Sequence, residues 1–170
     1  MDLYIIRHAD AGNPKEWTGD DAERPLSPLG HQQAKALGEA LRRRGVNLGV
    51  VVSSPLVRTR QTAEDVLAAW PGSGGPQFGD LLAPGALKRR KLSKFLAGFA
   101  ADTLAIVGHD PDLPDYLGWL LGTDPEQVHL EKGGAALVRF EDGRPDKGEG
   151  SLAWMVTPEW YMPGTVGSGQ

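Results

Sequence analysis

The chain has 170 residues, 40% of them hydrophobic, and a formal charge of -4 at pH 7, which is typical of one globular domain with a single core. Its net negative charge excludes a general attraction to nucleic acid or to an anionic membrane. The absence of cysteine excludes disulfides, thiolate metal sites and a cysteine nucleophile, and no apolar run has the length of a signal peptide or a membrane span. We therefore expect an unprocessed protein of the cytoplasm.

Five short runs of apolar and β-branched residues predict β-strands, and the first three look buried on both faces. In chain order these runs cover residues 3–6, 50–53, 104–108, 135–140 and 152–156. Because helical patterns lie between the strands, we expect an α/β fold with a mostly parallel sheet and helices on both of its faces.

The clearest helical pattern covers residues 28–44, where apolar residues recur at the spacing of one helix face and Ser27 can cap the first turn. A second helix is predicted for residues 55–70, with Ser54 as its cap. Weaker helical patterns follow at residues 88–100 and 114–121.

Two segments are predicted to lack regular structure. Residues 71–85 are rich in Gly and Pro and indicate a long surface loop, and residues 163–170 indicate a disordered tail. Since no repeat or linker divides the rest of the chain, we expect a single domain over residues 1–162.

Chemically distinctive side chains follow three of the predicted strands. Arg7 and His8 follow the first strand, Arg58 lies shortly after the second, and His109 follows the third. Ligands of open parallel sheets bind outside the carboxyl ends of the strands, so we expect these four side chains at one edge of the sheet. Guanidinium groups match phosphate oxygens and a neutral imidazole can attack phosphorus. The set therefore predicts a phosphoryl-transfer site.

The chemistry of each side chain separates the four roles. Arg7 and Arg58 cannot lose a proton, so we expect them to stabilise charge on the phosphoryl oxygens. Their charge disfavours imidazolium, which makes His8 the predicted nucleophile in its neutral form. His109 is expected to bind phosphate oxygens and stabilise the transition state. A single histidine after a strand is commonly structural, but the four residues together favour function.

Four ordered motifs span nearly the whole chain: LYIIRHAD at residues 3–10, RPLSPLG at 24–30, SSPLVRTRQTA at 53–63 and VGHDP at 107–111. They resemble the histidine phosphatase superfamily, in particular its small phosphohistidine phosphatase (SixA-like) branch. The resemblance implies a phosphoglycerate mutase-like three-layer α/β/α sandwich, a covalent phosphohistidine on His8, and no metal or other cofactor. Arg24 then becomes a candidate substrate contact, unless it only pairs with acids of its own loop.

Mutases and many larger phosphatases of this family carry an acidic proton donor after the second helix, and this chain has no clear counterpart. Asp80 is the nearest acid in that region. The first loop offers four competitors, which are Asp10, Glu16, Asp20 and Asp21. We leave the general acid unassigned.

The missing acid bears on the substrate. An oxygen ester needs its leaving alkoxide protonated, and a positioned acid contributes about 10² to 10⁴-fold to that step. The imidazole of a phosphoramidate leaves more readily, so we expect protein phosphohistidine, or another substrate with a good leaving group, and no nucleic acid or membrane partner.

The basic run at residues 88–91 is expected to be the solvated start of a helix, with contact to an acidic protein as the alternative.

Three other functions fit part of the pattern. A metal-dependent phosphohydrolase would use His8, Asp10, His109 and Asp110, which are metal-ligand types, although the adjacent arginines would oppose a cation. A non-catalytic module would bind phosphate through the same residues. A small-molecule phosphomonoesterase of the same family would need the general acid that is still unassigned.

Overall fold

The structure, a computed structural model, describes residues 1–162 and 164. In this part of the chain six strands form a single sheet. They are β1 (Asp2–Arg7), β2 (Val50–Ser53), β3 (Gln77–Phe78), β4 (Thr103–Gly108), β5 (Ala135–Arg139) and β6 (Ser151–Val156). The predicted disordered tail, residues 163–170, lies outside the described residues apart from Gly164.

The strands lie in the order β3-β2-β4-β1-β5-β6. The first four strands in the chain run parallel to one another, whereas β5 is antiparallel to both of its neighbours, β1 and β6. The prediction of a mostly parallel sheet is thus confirmed. The ends of β1, β2 and β4 meet at one side of the sheet, here called the carboxyl edge. Because β5 runs the other way, its first residues also lie at this edge.

Helices cover both faces of the sheet. They are α1 (Pro28–Arg43), α2 (Val57–Leu67), α3 (Arg89–Leu96), α4 (Asp112–Leu121) and the short α5 (Pro158–Tyr161). Alternate residues of each strand point to opposite faces, so Tyr4 and Ile6 pack with α1, α2 and α5, while Leu3 and Ile5 pack with α3 and α4. This arrangement is the expected three-layer α/β/α sandwich. In the described part of the chain, no helix has the length and apolar character needed to cross a bilayer.

The second helix differs from its prediction. It covers Val57–Leu67 rather than residues 55–70, and its N-cap position is occupied by Leu56, without a side-chain hydrogen bond. The capping role predicted for Ser54 is wrong, because the Ser54 hydroxyl instead forms a 2.8 Å hydrogen bond with the ring of His109.

The predicted loop over residues 71–85 contains two short regular elements. β3 extends the sheet beyond β2, and a 3-10 helix covers Asp80–Leu82. Both residues of β3 are exposed, so its sequence carries no burial pattern from which a strand could be predicted.

The start of α1 is fixed to the loop that follows β1. The Ser27 hydroxyl caps the helix by accepting from the Gly30 amide at 3.1 Å, as predicted, and it also donates to the Asp10 carboxylate at 2.5 Å. A Cβ at position 30 would lie 2.0 Å from the Asp10 carbonyl oxygen, so only glycine permits this approach. The RPLSPLG motif thereby holds the backbone just beyond His8.

Candidate active site

His8 follows β1 directly and is buried at the carboxyl edge. Its amide donates to the Gly108 carbonyl at 3.0 Å, and its carbonyl accepts from the Gly133 amide at 3.0 Å. The ring Nδ1 lies 2.8 Å from the Ala9 carbonyl oxygen. Since a carbonyl can only accept, Nδ1 carries the proton and Nε2 carries the free electron pair. The backbone therefore fixes the tautomer in which Nε2 can act as a nucleophile.

The surroundings of His8 keep its ring neutral. Burial lowers the His8 pKa to about 4, and the charges of Arg58, Arg7 and Lys132 act in the same direction. At neutral pH the electron pair on Nε2 is consequently available.

Arg7 and Arg58 are both held by the end of the guanidinium group. Arg7 Nη1 donates to the Leu130 carbonyl at 2.9 Å, and Nη2 lies 3.9 Å from Asp110 Oδ2. Arg58 Nη1 donates to the Asp21 carbonyl at 2.8 Å, and its Nη2 lies 3.1 Å from Asp21 Oδ2. These contacts do not involve Nε of either arginine. The side edge of each guanidinium, which includes Nε, can therefore bind an incoming oxyanion.

His109 follows β4 and lies beside His8, with the two ring centroids 5.4 Å apart. Its Nε2 is hydrogen-bonded to the Ser54 hydroxyl at 2.8 Å, and that hydroxyl oxygen already accepts from the Leu56 amide at 3.4 Å. Among the described residues the Ser54 hydroxyl has no other acceptor for its own proton, so we assign that proton to the bond with Nε2, which leaves Nδ1 as an N–H donor. Burial first, and then repulsion from His8 when that ring is protonated and from Arg58, lower the His109 pKa to about 3.

Three buried nitrogen atoms lack a hydrogen-bond partner among the described residues, and they belong to these same side chains. They are Arg7 Nε, Arg58 Nε and His109 Nδ1. Buried donors are nearly always paired in proteins, because an unpaired one costs about 1–3 kcal/mol. Three such donors around one neutral imidazole form a site suited to the oxygens of a phosphoryl group.

Arg24 is buried and contacts its own loop. Its Nε donates to Asp21 Oδ1 at 2.8 Å, and its Nη1 donates to the Ala11 carbonyl at 2.7 Å. The Asp21 carboxylate thus bridges two arginines, with one oxygen on Arg24 and the other on Arg58. The alternative that Arg24 pairs with an acid of its own loop is thus confirmed, but sequence analysis missed the second contact of Asp21, to Arg58, which lies in a different motif.

The hydrogen bond from Arg24, followed by the charge of Arg58, lowers the pKa of Asp21. The hydrogen bond from Ser27 is the largest cause of the lowered pKa of Asp10. Both carboxyl groups are therefore ionised at neutral pH, which makes them poor proton donors.

The other three candidate acids lie on the surface. Glu16 accepts from the Asn13 side chain, Asp20 caps a 3-10 helix, and Asp80 is exposed at the start of another. Within residues 1–162, no hydrogen bond or ion pair joins any of the five candidate acids to His8 or His109.

Lys132 is a site residue that sequence analysis missed. Its Nζ lies 3.8 Å from Asp10 Oδ1, and its charge contributes to the low pKa of His8. Sequence analysis considered residues that follow strands, whereas Lys132 precedes β5. Recognising β5 as antiparallel would have placed its start at the carboxyl edge.

Side chains of metal-ligand type are present at the site but do not cluster. No group of three or more His, Asp or Glu side chains that could hold a metal ion occurs in the part of the chain that the structure describes. The positive charges of Arg7, Arg58 and Lys132 around His8 would also oppose a cation.

The chain is similar to several known proteins. The family model of the histidine phosphatase superfamily (branch 1) matches residues 3–73. An uncharacterised protein of Picosynechococcus is 32% identical over 171 residues, which cover 96% of this chain and 100% of that protein. A structure from Nakamurella multipartitia, named as a SixA phosphohistidine phosphatase, is 30% identical with a TM-score of 0.71 and covers 92% of this chain and 95% of that chain.

The fold is also similar to that of the protein histidine phosphatase SixA in complex with tungstate. That structure has a TM-score of 0.79 at 23% identity, and the match covers 93% of this chain and 97% of that chain.

The bridge formed by Asp21 generates a first prediction. Asp21→Asn keeps the size of the side chain but removes the charge shared by Arg24 and Arg58, so we expect kcat for p-nitrophenyl phosphate to fall about tenfold or more. Asp21→Glu should recover part of the loss, because it restores the charge. Asp20→Asn is the matched control, since Asp20 caps the 3-10 helix Asp21–Glu23 and does not contact an arginine. Equal rates in Asp21→Asn and Asp20→Asn would contradict the bridge.

The low pKa of His8 generates a second prediction. Because the ring is protonated only as pH falls through about 4, kcat/KM should persist between pH 6.5 and about 4.5, after correction for ionisation of the substrate. An acid limb near 6.5, the ordinary histidine pKa, would contradict it.

His8 and His109 resist protonation only in the folded state, so the free energy of unfolding should decrease as pH falls below about 6.5. Circular dichroism at each pH separates unfolding from titration.

Proposed function

The chain belongs to the histidine phosphatase superfamily, and on that premise we propose that it hydrolyses phosphorylated substrates through a covalent phosphohistidine on His8, without a metal. We further propose that its preferred substrate is phosphohistidine in a protein, or another phosphorylated group with a good leaving group. The observation that carries the proposal is the neutral His8 ring among three buried, unpaired donors.

In the first step, the Nε2 electron pair attacks phosphorus, and the bond from phosphorus to the leaving nitrogen breaks as the bond to Nε2 forms. The leaving nitrogen keeps the electron pair of the broken bond, and a phosphohistidine ring protonated on its other nitrogen departs as neutral imidazole. The Ala9 carbonyl, 2.8 Å from Nδ1, stabilises the positive charge that develops on the ring. In the second step, water attacks phosphorus and the bond from phosphorus to His8 breaks. Inorganic phosphate is released, and the His8 ring returns to its neutral form.

The side edges of Arg7 and Arg58 and the Nδ1–H of His109 are proposed to bind the phosphoryl oxygens. Their positive and partial positive charges are fixed before the reaction, so they need little reorganisation as charge develops. The substrate contact of Arg24 remains a prediction. Its Nε and Nη1 are engaged by Asp21 and Ala11, which leaves Nη2 as the donor for a substrate oxygen.

The state of the carboxyl groups supports a substrate that needs no strong acid. Asp10 and Asp21, which contact the charged groups around His8, both have a lowered pKa. A phosphoramidate suits such a site, because its imidazole leaves more readily than an alkoxide. The structural neighbours named SixA phosphohistidine phosphatases agree with this proposal.

A small-molecule phosphomonoesterase is the second candidate. A segment of 66 residues is 42% identical to the broad-specificity phosphatase YOR283W of Saccharomyces cerevisiae, but it covers only 38% of this chain and 29% of that protein. This candidate requires a proton donor on the pocket rim, with Asp80 as the first to test because it lies in the family's acidic region.

A third prediction concerns the intermediate. An alkaline quench during turnover, followed by mass spectrometry, should detect phosphate on His8, because N-linked phosphate survives alkali and not acid. His8→Ala should abolish the signal, whereas the control His31→Ala, in a half-exposed side chain on α1, should retain it. The signal should also persist in excess chelator. Its loss in chelator and recovery with a divalent ion would favour the metal-dependent alternative, and a persistent phosphoenzyme in His8→Ala would exclude His8.

A fourth prediction concerns the substrate. Values of kcat/KM should rank a phosphohistidine peptide first, p-nitrophenyl phosphate second and alkyl phosphates last, by about 10² to 10⁴-fold, which is the usual contribution of a positioned acid. Asp80→Asn should leave the first two values unchanged. Preference for an alkyl or sugar phosphate, together with its loss in Asp80→Asn, would instead establish the phosphomonoesterase.

A further inference from the structure

The segment from residue 81 to residue 101 contains five basic residues and no acidic one, in a chain whose net charge is -4. The five are Lys88, Arg89, Arg90, Lys91 and Lys94, all exposed, and we call them the basic segment. Subtracting their charge of +5 from -4 leaves -9 for the remainder of the chain. The segment is therefore a locally positive part of a surface whose remaining net charge is negative.

This charge is unfavourable for the helix that carries it. The N-terminus of a helix is the positive end of its dipole, and each cation there is destabilising by about 0.3–1 kcal/mol. α3 nevertheless begins with Arg89, Arg90 and Lys91, without an acidic residue in its first turn or a capping side chain. Neighbouring like charges add repulsion. Folding stability alone does not account for such an arrangement.

Contacts within the described residues neutralise only one member of the basic segment. Arg89 forms a two-bond ion pair with Asp115, at 2.7 Å for each bond. No ion pair in the part of the chain that the structure describes involves Lys88, Arg90, Lys91 or Lys94. Four positive charges are thus available to a partner.

The basic segment lies beside the proposed active site. Asp115, the partner of Arg89, belongs to the first turn of α4, and this helix begins three residues after His109. The Asp112 carboxylate in the same turn accepts from the Gly85 amide at 2.7 Å, which fixes the approach to α3. A groove of about 630 Å³ runs along α3, and its charged lining residues are Arg90, Lys94, Arg144 and one acid, Asp146.

We propose that the basic segment is a docking surface for an acidic face of the phosphorylated protein substrate, an inference that rests on the proposed function. Charge complementarity favours a protein over a nucleic acid or a membrane. A long polyanion or an anionic bilayer would also meet the remaining surface, which carries a charge of -9, whereas a protein with a local acidic patch contacts the basic segment alone. Docking would bring the substrate's phosphohistidine to the carboxyl edge.

The experiment compares two synthetic phosphohistidine peptides of equal length, one with a tail of about six glutamates and one with a tail of glutamines. Wild type should show about tenfold higher kcat/KM for the acidic peptide, and the advantage should shrink as salt is raised from about 50 to 300 mM. Arg90→Glu/Lys91→Glu should abolish the advantage. Activity on p-nitrophenyl phosphate should stay within about twofold of wild type, because this substrate carries no acidic tail for the segment to attract.

Arg43→Glu/Arg44→Glu is the matched control, with the same number of reversed charges at the opposite end of the sheet, where α1 ends. It should retain the preference for the acidic peptide. Arg90→Glu/Lys91→Glu should also raise Tm, because it places acids in the first turn of α3. A simultaneous gain in Tm and loss of preference has no explanation in impaired folding. Arg90→Gln/Lys91→Gln provides a second variant with a smaller change of charge.

The outcomes distinguish the two proposals. If wild type hydrolyses neither peptide, both the proposed function and the docking surface are overturned. If it hydrolyses the two peptides equally, or if Arg90→Glu/Lys91→Glu keeps the acidic preference, only the docking surface is overturned. Fluorescence anisotropy with the unphosphorylated acidic peptide and with a labelled oligonucleotide, and flotation with anionic vesicles, complete the test. Stronger binding of the oligonucleotide or the vesicles through residues 90 and 91 would also overturn it.

Discussion

The hydrogen bond between His8 Nδ1 and the Ala9 carbonyl, 2.8 Å long, determines what the site can do. It places the ring proton on the side away from the pocket, and all other features act on the electron pair that remains on Nε2. Burial keeps this pair free of a second proton. The bond depends only on the backbone, so the tautomer is set by the path of the chain after β1.

The arginines show how the fold prepares charge for a ligand. The terminal nitrogens of each guanidinium lie near carbonyl or carboxylate oxygens. Nε of each arginine is buried and has no hydrogen-bond partner among the described residues. An unpaired buried donor reduces folding stability, and local arrangements of this kind persist at functional sites. The segment that precedes the antiparallel strand β5 adds Lys132 to the site, where its ammonium group lies near the Asp10 carboxylate. The proposed phosphate chemistry would account for these features, which folding stability alone would not select.

The sequence predicts five of the six strands that the described residues form, and it predicts that four side chains meet at one edge, because buried strands are apolar and these side chains lie at or shortly after strand ends. His8 and His109 could be placed at one edge from this pattern alone. The role of Ser54 could not, because it depends on the distance between two loops that are 55 residues apart in sequence. The bridge from Asp21 to Arg58 likewise spans 37 residues. Such contacts follow from how helices pack on the sheet, which local patterns do not specify.

The attachment of Gly30 to the Asp10 backbone has a consequence for motion. It joins the first turn of α1 and residues 8–10 into one block, in which no hinge can form without separating the two backbones. Residues 12–20 are exposed and have no comparable close packing against another element, and only their end, at Asp21, is tied to Arg24 and Arg58. Asp21 lies at the end of this segment. A displacement of Asp21 would therefore release the end of Arg58 while leaving His8 in place, so the position of the Arg58 guanidinium can vary independently of the His8 ring.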